Sequence, residues 1–250
     1  MPFLLENEIE ARMGERRDDP LQPCGLIAGT VVHTAQGLKH IDEIQVGELV
    51  LVLSEQSQAP SYQPVKTVSV TDAQAIWVVK YTLAAEDHLK KDKPIHHLYV
   101  TAKHSFWVNG RGWMEAAELS ADLDLLLPTG GIGTVQQVWP VWRTPVAGLG
   151  WVRTDILGMP DATEAHIVDF RDGCNLWSYP LFRQWEAVVP FSGFGNEDTS
   201  IFDHEGMWEI HRSLDRTLRQ PVYHLELADG QGYCVGEAGV WAGQYVKVAS

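Results

Sequence analysis

Short β-type runs closed by glycine turns dominate this chain from residue 24 to residue 128, and they constrain its fold more than any other feature. Thr30-Val31-Val32-His33-Thr34 is β-branched and reads as a strand, with Gln36-Gly37 as a hairpin turn behind it. Leu49-Val50-Leu51-Val52-Leu53 is a fully apolar strand. Val65 to Val70 alternates, as does Ile76-Trp77-Val78-Val79-Lys80-Tyr81. His97 to Thr101 leads into Phe106-Trp107-Val108, and Asn109-Gly110-Arg111-Gly112 is a tight turn. Residues 83–97, charged and containing Pro94, read as a loop, and Met114 to Leu119 as a short helix or helical turn. This pattern predicts an all-β fold.

Composition excludes several classes. The net charge is −14, from 19 basic and 33 acidic residues, and no basic stripe is present to displace counterions from a phosphate backbone, so nucleic acid is not an expected partner. No apolar run approaches the ~20 residues of a membrane helix, and no membrane is expected. The segment Met1 to Arg17 carries Glu6, Glu8 and Glu10 inside its only apolar stretch and does not read as a signal peptide. Cys24, Cys174 and Cys234 are too few and too scattered for a disulfide framework or a zinc knuckle. A reduced, cytoplasmic compartment is the plain expectation, with export as part of a larger toxin as the variant.

The histidines give no metal expectation. His96 and His97 are adjacent on a strand and point to opposite faces. His204 and His211 stand seven apart with no further ligand pair beside them. The spacing of two histidines four apart around a glutamate is absent. No metal and no cofactor are expected.

The chemistry concentrates in two blocks. The first runs Cys24-Gly25-Leu26-Ile27-Ala28-Gly29-Thr30-Val31-Val32-His33-Thr34 and continues through Gly37-Leu38 to Leu49-Val50-Leu51. A cysteine at the head of such a segment can attack the carbonyl carbon of the preceding residue, replacing a peptide bond by a thioester. The second block is Val100-Thr101-Ala102-Lys103-His104-Ser105-Phe106-Trp107-Val108. A histidine titrates near neutrality and can protonate the leaving amine.

Taken together, these blocks resemble the Hint superfamily: inteins, hedgehog autoprocessing domains and the Hint domains of bacterial polymorphic toxins, the last most of all. The resemblance implies a horseshoe-like β fold and self-cleavage between Pro23 and Cys24, with His104 and Thr101 assisting. It implies at most a single-turnover, cysteine-dependent autoprotease whose substrate is its own flanking polypeptide. Two registers stay open. Cys24 stands six residues before Thr30, as in the hedgehog branch, whereas five residues before, the usual toxin and intein spacing, falls on Gly25. Pro23 restricts how the scissile carbonyl turns toward sulfur. Asp72 matches either an aspartate that activates a second nucleophile in hedgehog-type domains or a turn residue after a strand.

The closing block, Val222-Tyr223-His224-Leu225-Glu226-Leu227 followed by Tyr233-Cys234-Val235-Gly236 and Gly239-Val240-Trp241, resembles the family's final hairpin but lacks its splicing residues. The upstream histidine of that pattern falls on Gln231 and the terminal His-Asn pair on Gly243-Gln244. Gln244 can cyclise as asparagine does, but through a larger ring and more slowly. Tyr245 stands where splicing needs Cys, Ser or Thr. Full splicing is therefore not expected.

The chain divides on this reading into a leader at 1–23, a first Hint part at 24–128, an insertion of unknown function at 129–219 and a closing Hint part at 220–250. The leader reads as a short helix and a proline connector. The insertion holds six of the ten tryptophans, β-like pieces at Ala165 to Phe170 and Ala187 to Phe191, and a helix at Asp203 to Leu218. It is the expected surface for a toxin, immunity or secretion partner. Cleavage at Cys24 would release only 23 residues, so the natural chain is expected to begin further upstream. The competing expectation, from a different functional class, is a catalytically degenerate Hint domain kept as a structural or partner-binding module.

Overall fold

The structure, a computed structural model, describes residues 24–86, 94–143, 147–152, 166–171, 175–178, 217–227 and 232–243. The expected leader helix, the Ala187 to Phe191 piece and the 203–218 helix (up to residue 216) lie outside them. The described strands, in chain order, are β1 (Leu26–Ile27), β2 (Val31–Thr34), β3 (Gly37–His40), β4 (Leu49–Leu53), β5 (Pro60–Leu83), β6 (His96–Thr101), β7 (Ser105–Val108), β8 (Gly112–Glu115), β9 (Asp124–Leu126), β10 (Ile132–Pro140), β11 (Trp142–Arg143), β12 (Leu149–Val152), β13 (His166–Asp169), β14 (Asn175–Ser178), β15 (Arg219–Leu227), β16 (Tyr233–Val235) and β17 (Val240–Gly243). The helical segments among the described residues are single 3-10 turns at Ile41–Glu43, Ala84–Glu86 and Ala116–Glu118. The fold is all-β, as the strand pattern implied.

Thirteen strands form one antiparallel sheet and β11 to β14 form a second of four. The β2–β3 hairpin closes at Gly37, whose φ of +114° suits glycine. β4 is as apolar as its sequence suggests and buries Val50, Val52 and Leu53. The two alternating runs 65–70 and 76–81 are one long strand, β5. Its first half pairs with β4 and β15 and its second with β6 and β10. The change of partner falls between Ala75 and Ile76, just past a bulge where Ala73 takes a φ of +50° and the register with β15 shifts between Gln220 and Val222. A bulge of this kind bends a strand and re-aims it without ending it.

The main core gathers Leu26, Val32, Val50, Val79, Val100, Phe106, Leu225 and Tyr233 with their neighbours. β10 lies inside the segment 129–219 but pairs with β5 and β9 of the first sheet, so the second sheet begins only at Trp142. A ring of backbone hydrogen bonds marks the junction: Val141 N–H to Ile76 O at 2.8 Å, Leu218 N–H to Val141 O at 2.7 Å and Ile76 N–H to Leu218 O at 2.9 Å. A second apolar cluster spans both sheets and joins Ile27, Ile76, Val78 and Val222 to Val141, Val152, Val168 and Leu218.

Candidate active site

Three chain segments converge around Cys24. β1 is held between β15, through Leu26 opposite Tyr223, and β6, through Leu26 opposite Val100. β17 ends at Gly243, which pairs with Ser105 at the head of β7. The tight turn Thr101–His104, closed by His104 N–H to Thr101 O at 3.1 Å, returns the chain from β6 into β7. Residues 80 and 219 positions apart in sequence therefore meet at one thiol.

Cys24 Sγ lies 3.1 Å from His104 Nδ1 and 3.7 Å from the carbonyl oxygen of Gly243. His104 is fully buried, and its ring meets Phe106 edge-on at 5.6 Å. Its carbonyl accepts from Ala116 N–H at 2.8 Å, which ties the turn to the 3-10 helix behind it. Thr101 grips the residue after the cysteine from both directions. Gly25 N–H donates to Thr101 Oγ1 at 3.1 Å, and Thr101 N–H donates to Gly25 O at 3.0 Å. The backbone orientation at Cys24 is thereby set by Thr101 and the thiol contact by His104.

Burial governs protonation here. It pushes the Cys24 thiol up to about 12, with Glu115 adding to the rise and a backbone hydrogen bond from Ser105 opposing it. Burial also lowers His104 to about 3, with the nearby His224 ring opposing a charge there too. The pair is thiol and neutral imidazole at pH 7. When Nδ1 accepts from the thiol, the ring hydrogen sits on Nε2.

Local sterics bear on the two registers. A Cβ at Gly25 would lie 2.8 Å from Val222 Cβ and Cγ2 and 2.9 Å from Tyr223 O, closer than real side chains approach. A side chain at position 25 would force β1 or β15 to shift, whereas Cys24 touches the histidine. The same reasoning applies at the far end. A Cβ at Gly243 would lie 2.5 Å from Gly232 Cα. A side chain at position 243 would therefore have to displace the Gly232 backbone.

Asp72 is exposed at the β5 bend, and its carbonyl accepts from Gln74 Nε2 at 2.8 Å. The structure does not bring it into contact with Cys24 or His104. Gln244 lies outside the described residues, as do Gln231, His204 and His211. His96 pairs with Glu86 at 3.1 Å and His97 stacks on Tyr99 at 6.4 Å. Among the described residues no group of three or more His, Cys, Asp or Glu side chains could hold a metal, and no helix is long and apolar enough to cross a membrane. Sequence reading missed His224. It stands on β15 next to Tyr223, and extending the β1–β15 register places it opposite Gly25. Its only sequence signal was its place in the closing block.

The all-β fold thus brings Thr101 at the end of β6 and His104 in the turn before β7 to the cysteine that precedes β1, beside the end of β17. Residues 23–137 match the family model described as Hint domain. Among solved structures the chain is similar to a bacterial intein-like domain from Clostridium thermocellum, at 15% identity over 89% of this chain and 99% of that one, with a TM-score of 0.49. It is also similar to a DnaB intein from Synechocystis sp. PCC 6803, at 9% identity over 90% of this chain and all of that one, with a TM-score of 0.48. The gp41-1 intein shares 24% identity over 48% of this chain and 80% of its own, with a TM-score of 0.35. No curated protein matches the chain.

Proposed function

We propose that this domain cuts its own backbone between Pro23 and Cys24 and does not splice. The observation that carries the reading is the 3.1 Å contact between Cys24 Sγ and His104 Nδ1, buried beside the Thr101 clamp on Gly25. The thiol proton passes to His104 Nδ1 as sulfur attacks the Pro23 carbonyl carbon. The C–N bond of the tetrahedral intermediate then breaks, and the proton moves from the imidazole to the departing amine of Cys24. The products are a Pro23 thioester on Sγ and a free Cys24 amine. Water attacks the thioester carbonyl, restores the thiol and leaves Pro23 as a carboxylic acid. Gly243 and Tyr245 in place of His and a Cys, Ser or Thr acceptor argue against ligation of flanking segments.

Its setting, on the resemblance of Gly25 to Thr34, is a bacterial polymorphic toxin, with the cleaved polypeptide flanking the domain and an immunity or secretion partner meeting the insertion. A second reading has its own support. A thiol held near 12 and an imidazole held near 3 make a poor ground state for nucleophilic attack, which favours a degenerate Hint domain serving as a scaffold.

Intact mass of the freshly made chain, followed for a day at neutral pH with and without dithiothreitol or hydroxylamine, separates the two. Loss of residues 1–23, accelerated by these nucleophiles and absent in Cys24→Ala, supports self-cleavage. An unchanged mass under every condition sinks it and leaves the scaffold.

A further inference from the structure

Two ring nitrogens next to the Cys24 site are buried without a hydrogen-bond partner among the described residues: His104 Nε2 and His224 Nδ1. Buried polar atoms in folded proteins are nearly always satisfied, so a pair of orphans on neighbouring side chains needs a reason. Their chemistry is complementary. His104 accepts the Cys24 proton through Nδ1 only as the tautomer with its hydrogen on Nε2, which makes Nε2 a buried donor. His224 offers a lone pair on Nδ1 when its own hydrogen sits on the other nitrogen. The rings are close enough for the His224 charge to act on His104. The β1–β15 register places His224 opposite Gly25, on the strand that flanks the nucleophile.

We propose that His224 is a positioning residue that accepts from His104 Nε2–H across one bridging water, and so keeps His104 Nδ1 free to take the Cys24 proton. The function of a second group in such a site is to select which nitrogen of the first carries hydrogen. This rests on the self-cleavage reading for its purpose, but not for its geometry. The other ionisable groups around the pair are Glu226, which acts on His224, and Glu115 and Tyr233, which act on or are acted on by Cys24. Glu226 is exposed and paired with Lys66 at 3.3 Å.

The decisive experiment is nitrogen NMR of the His104 ring in the full-length Cys24→Ala chain, which lacks the nucleophile and stays whole. With His224 present, His104 should carry its hydrogen on Nε2 between pH 6 and 8. In Cys24→Ala/His224→Leu the Nδ1–H form should become populated, and in Cys24→Ala/His224→Asn, which keeps an acceptor, it should not. In chains that retain Cys24, His224→Leu should slow cleavage by roughly 10²-fold, the usual size of a general acid–base contribution, with His224→Asn recovering much of the rate. A His104 tautomer unchanged by His224→Leu overturns the assignment. A tautomer that shifts in a protein whose wild type never cleaves would support the His104–His224 link while removing self-cleavage. If the leucine variant does not fold, His224→Ala, which likewise lacks an acceptor, gives the same reading.

Discussion

Replacing Gly25 by alanine tests the register and the site at once. The added Cβ would stand 2.8 Å from two carbons of Val222 and 2.9 Å from the Tyr223 carbonyl oxygen, about 0.6 Å inside ordinary contact with those carbons. Two of these neighbours cannot swing aside. Tyr223 O is backbone, and Val222 is itself packed in the cluster shared by both sheets. β1 must therefore move away from β15 by several tenths of an ångström. Overpacking of this kind costs about 1–3 kcal/mol, which in a chain of this size lowers Tm by about 3–10 °C. The shift is carried to the next residue, where Cys24 Sγ holds its 3.1 Å contact with His104. Misplacing reacting groups by ~1 Å can cost about 10²-fold in rate, so a shift of this size should slow cleavage at least tenfold. Differential scanning calorimetry and time-resolved intact mass on the same preparation read both effects. Moving the thiol, as Cys24→Ala with Gly25→Cys, should not restore cleavage. A Gly25→Ala protein that melts within about 1 °C of wild type and cleaves at the wild-type rate would refute the steric argument and reopen the five-residue register.

Thr101→Val removes the acceptor for Gly25 N–H and leaves a buried donor unsatisfied, so stability should fall by about 1–3 kcal/mol in urea titration and cleavage should slow, whereas Thr101→Ser should retain both. Acid should destabilise the fold through His104. The folded ring resists protonation down to about pH 3, while the unfolded ring takes a proton near 6.5. Between these values the unfolded state binds more protons, so stability falls as pH falls, by up to about 1.4 kcal/mol per pH unit for this group. Urea midpoints at pH 7, 6 and 5 should show the slope and His104→Gln should flatten it; equal slopes in both proteins would contradict a neutral buried ring. Gly243→His should create no new C-terminal cut and should lower Tm, because its Cβ meets Gly232 Cα; a stable variant that cleaves after residue 244 would show that the far end of the site can open.

Local signals carried most of the fold reading. β2, β4, β6 and β7 are written in β-branched runs and glycine turns, and they stand where those signals put them, whereas β8 takes Met114 and Glu115 from the expected helical turn, which is confined to Ala116–Glu118. β5 looked like two strands because the exposed bend at Asp72–Ala75 interrupts the alternation, and only its hydrogen-bonded partners show one strand continuing through. β10 was hidden for another reason. Its residues Val135, Val138 and Trp139 face a long-range partner, β5, and nothing in the neighbouring sequence announces that pairing. At the site, Cys24, Thr101 and His104 could be named from their blocks, but the choice between Cys24 and Gly25 depended on Val222 and Tyr223, some 200 positions away. His224 was unreadable for the same reason: its place opposite Gly25 is a matter of register, which no local pattern encodes.

Val222 has two neighbours of different kinds. On one side it closes over the missing side chain of Gly25, and on the other it shares a cluster with Val152 and Val168 of the second sheet. Modular exchange at this locus is therefore constrained. A lineage or an engineer replacing the 142–217 segment with an unrelated sequence would expose Ile27, Val78 and Val222 unless the newcomer presented an apolar surface of matching shape. The segment can diverge freely in whatever it turns outward, but its inward face is inherited together with the cysteine it helps to seat.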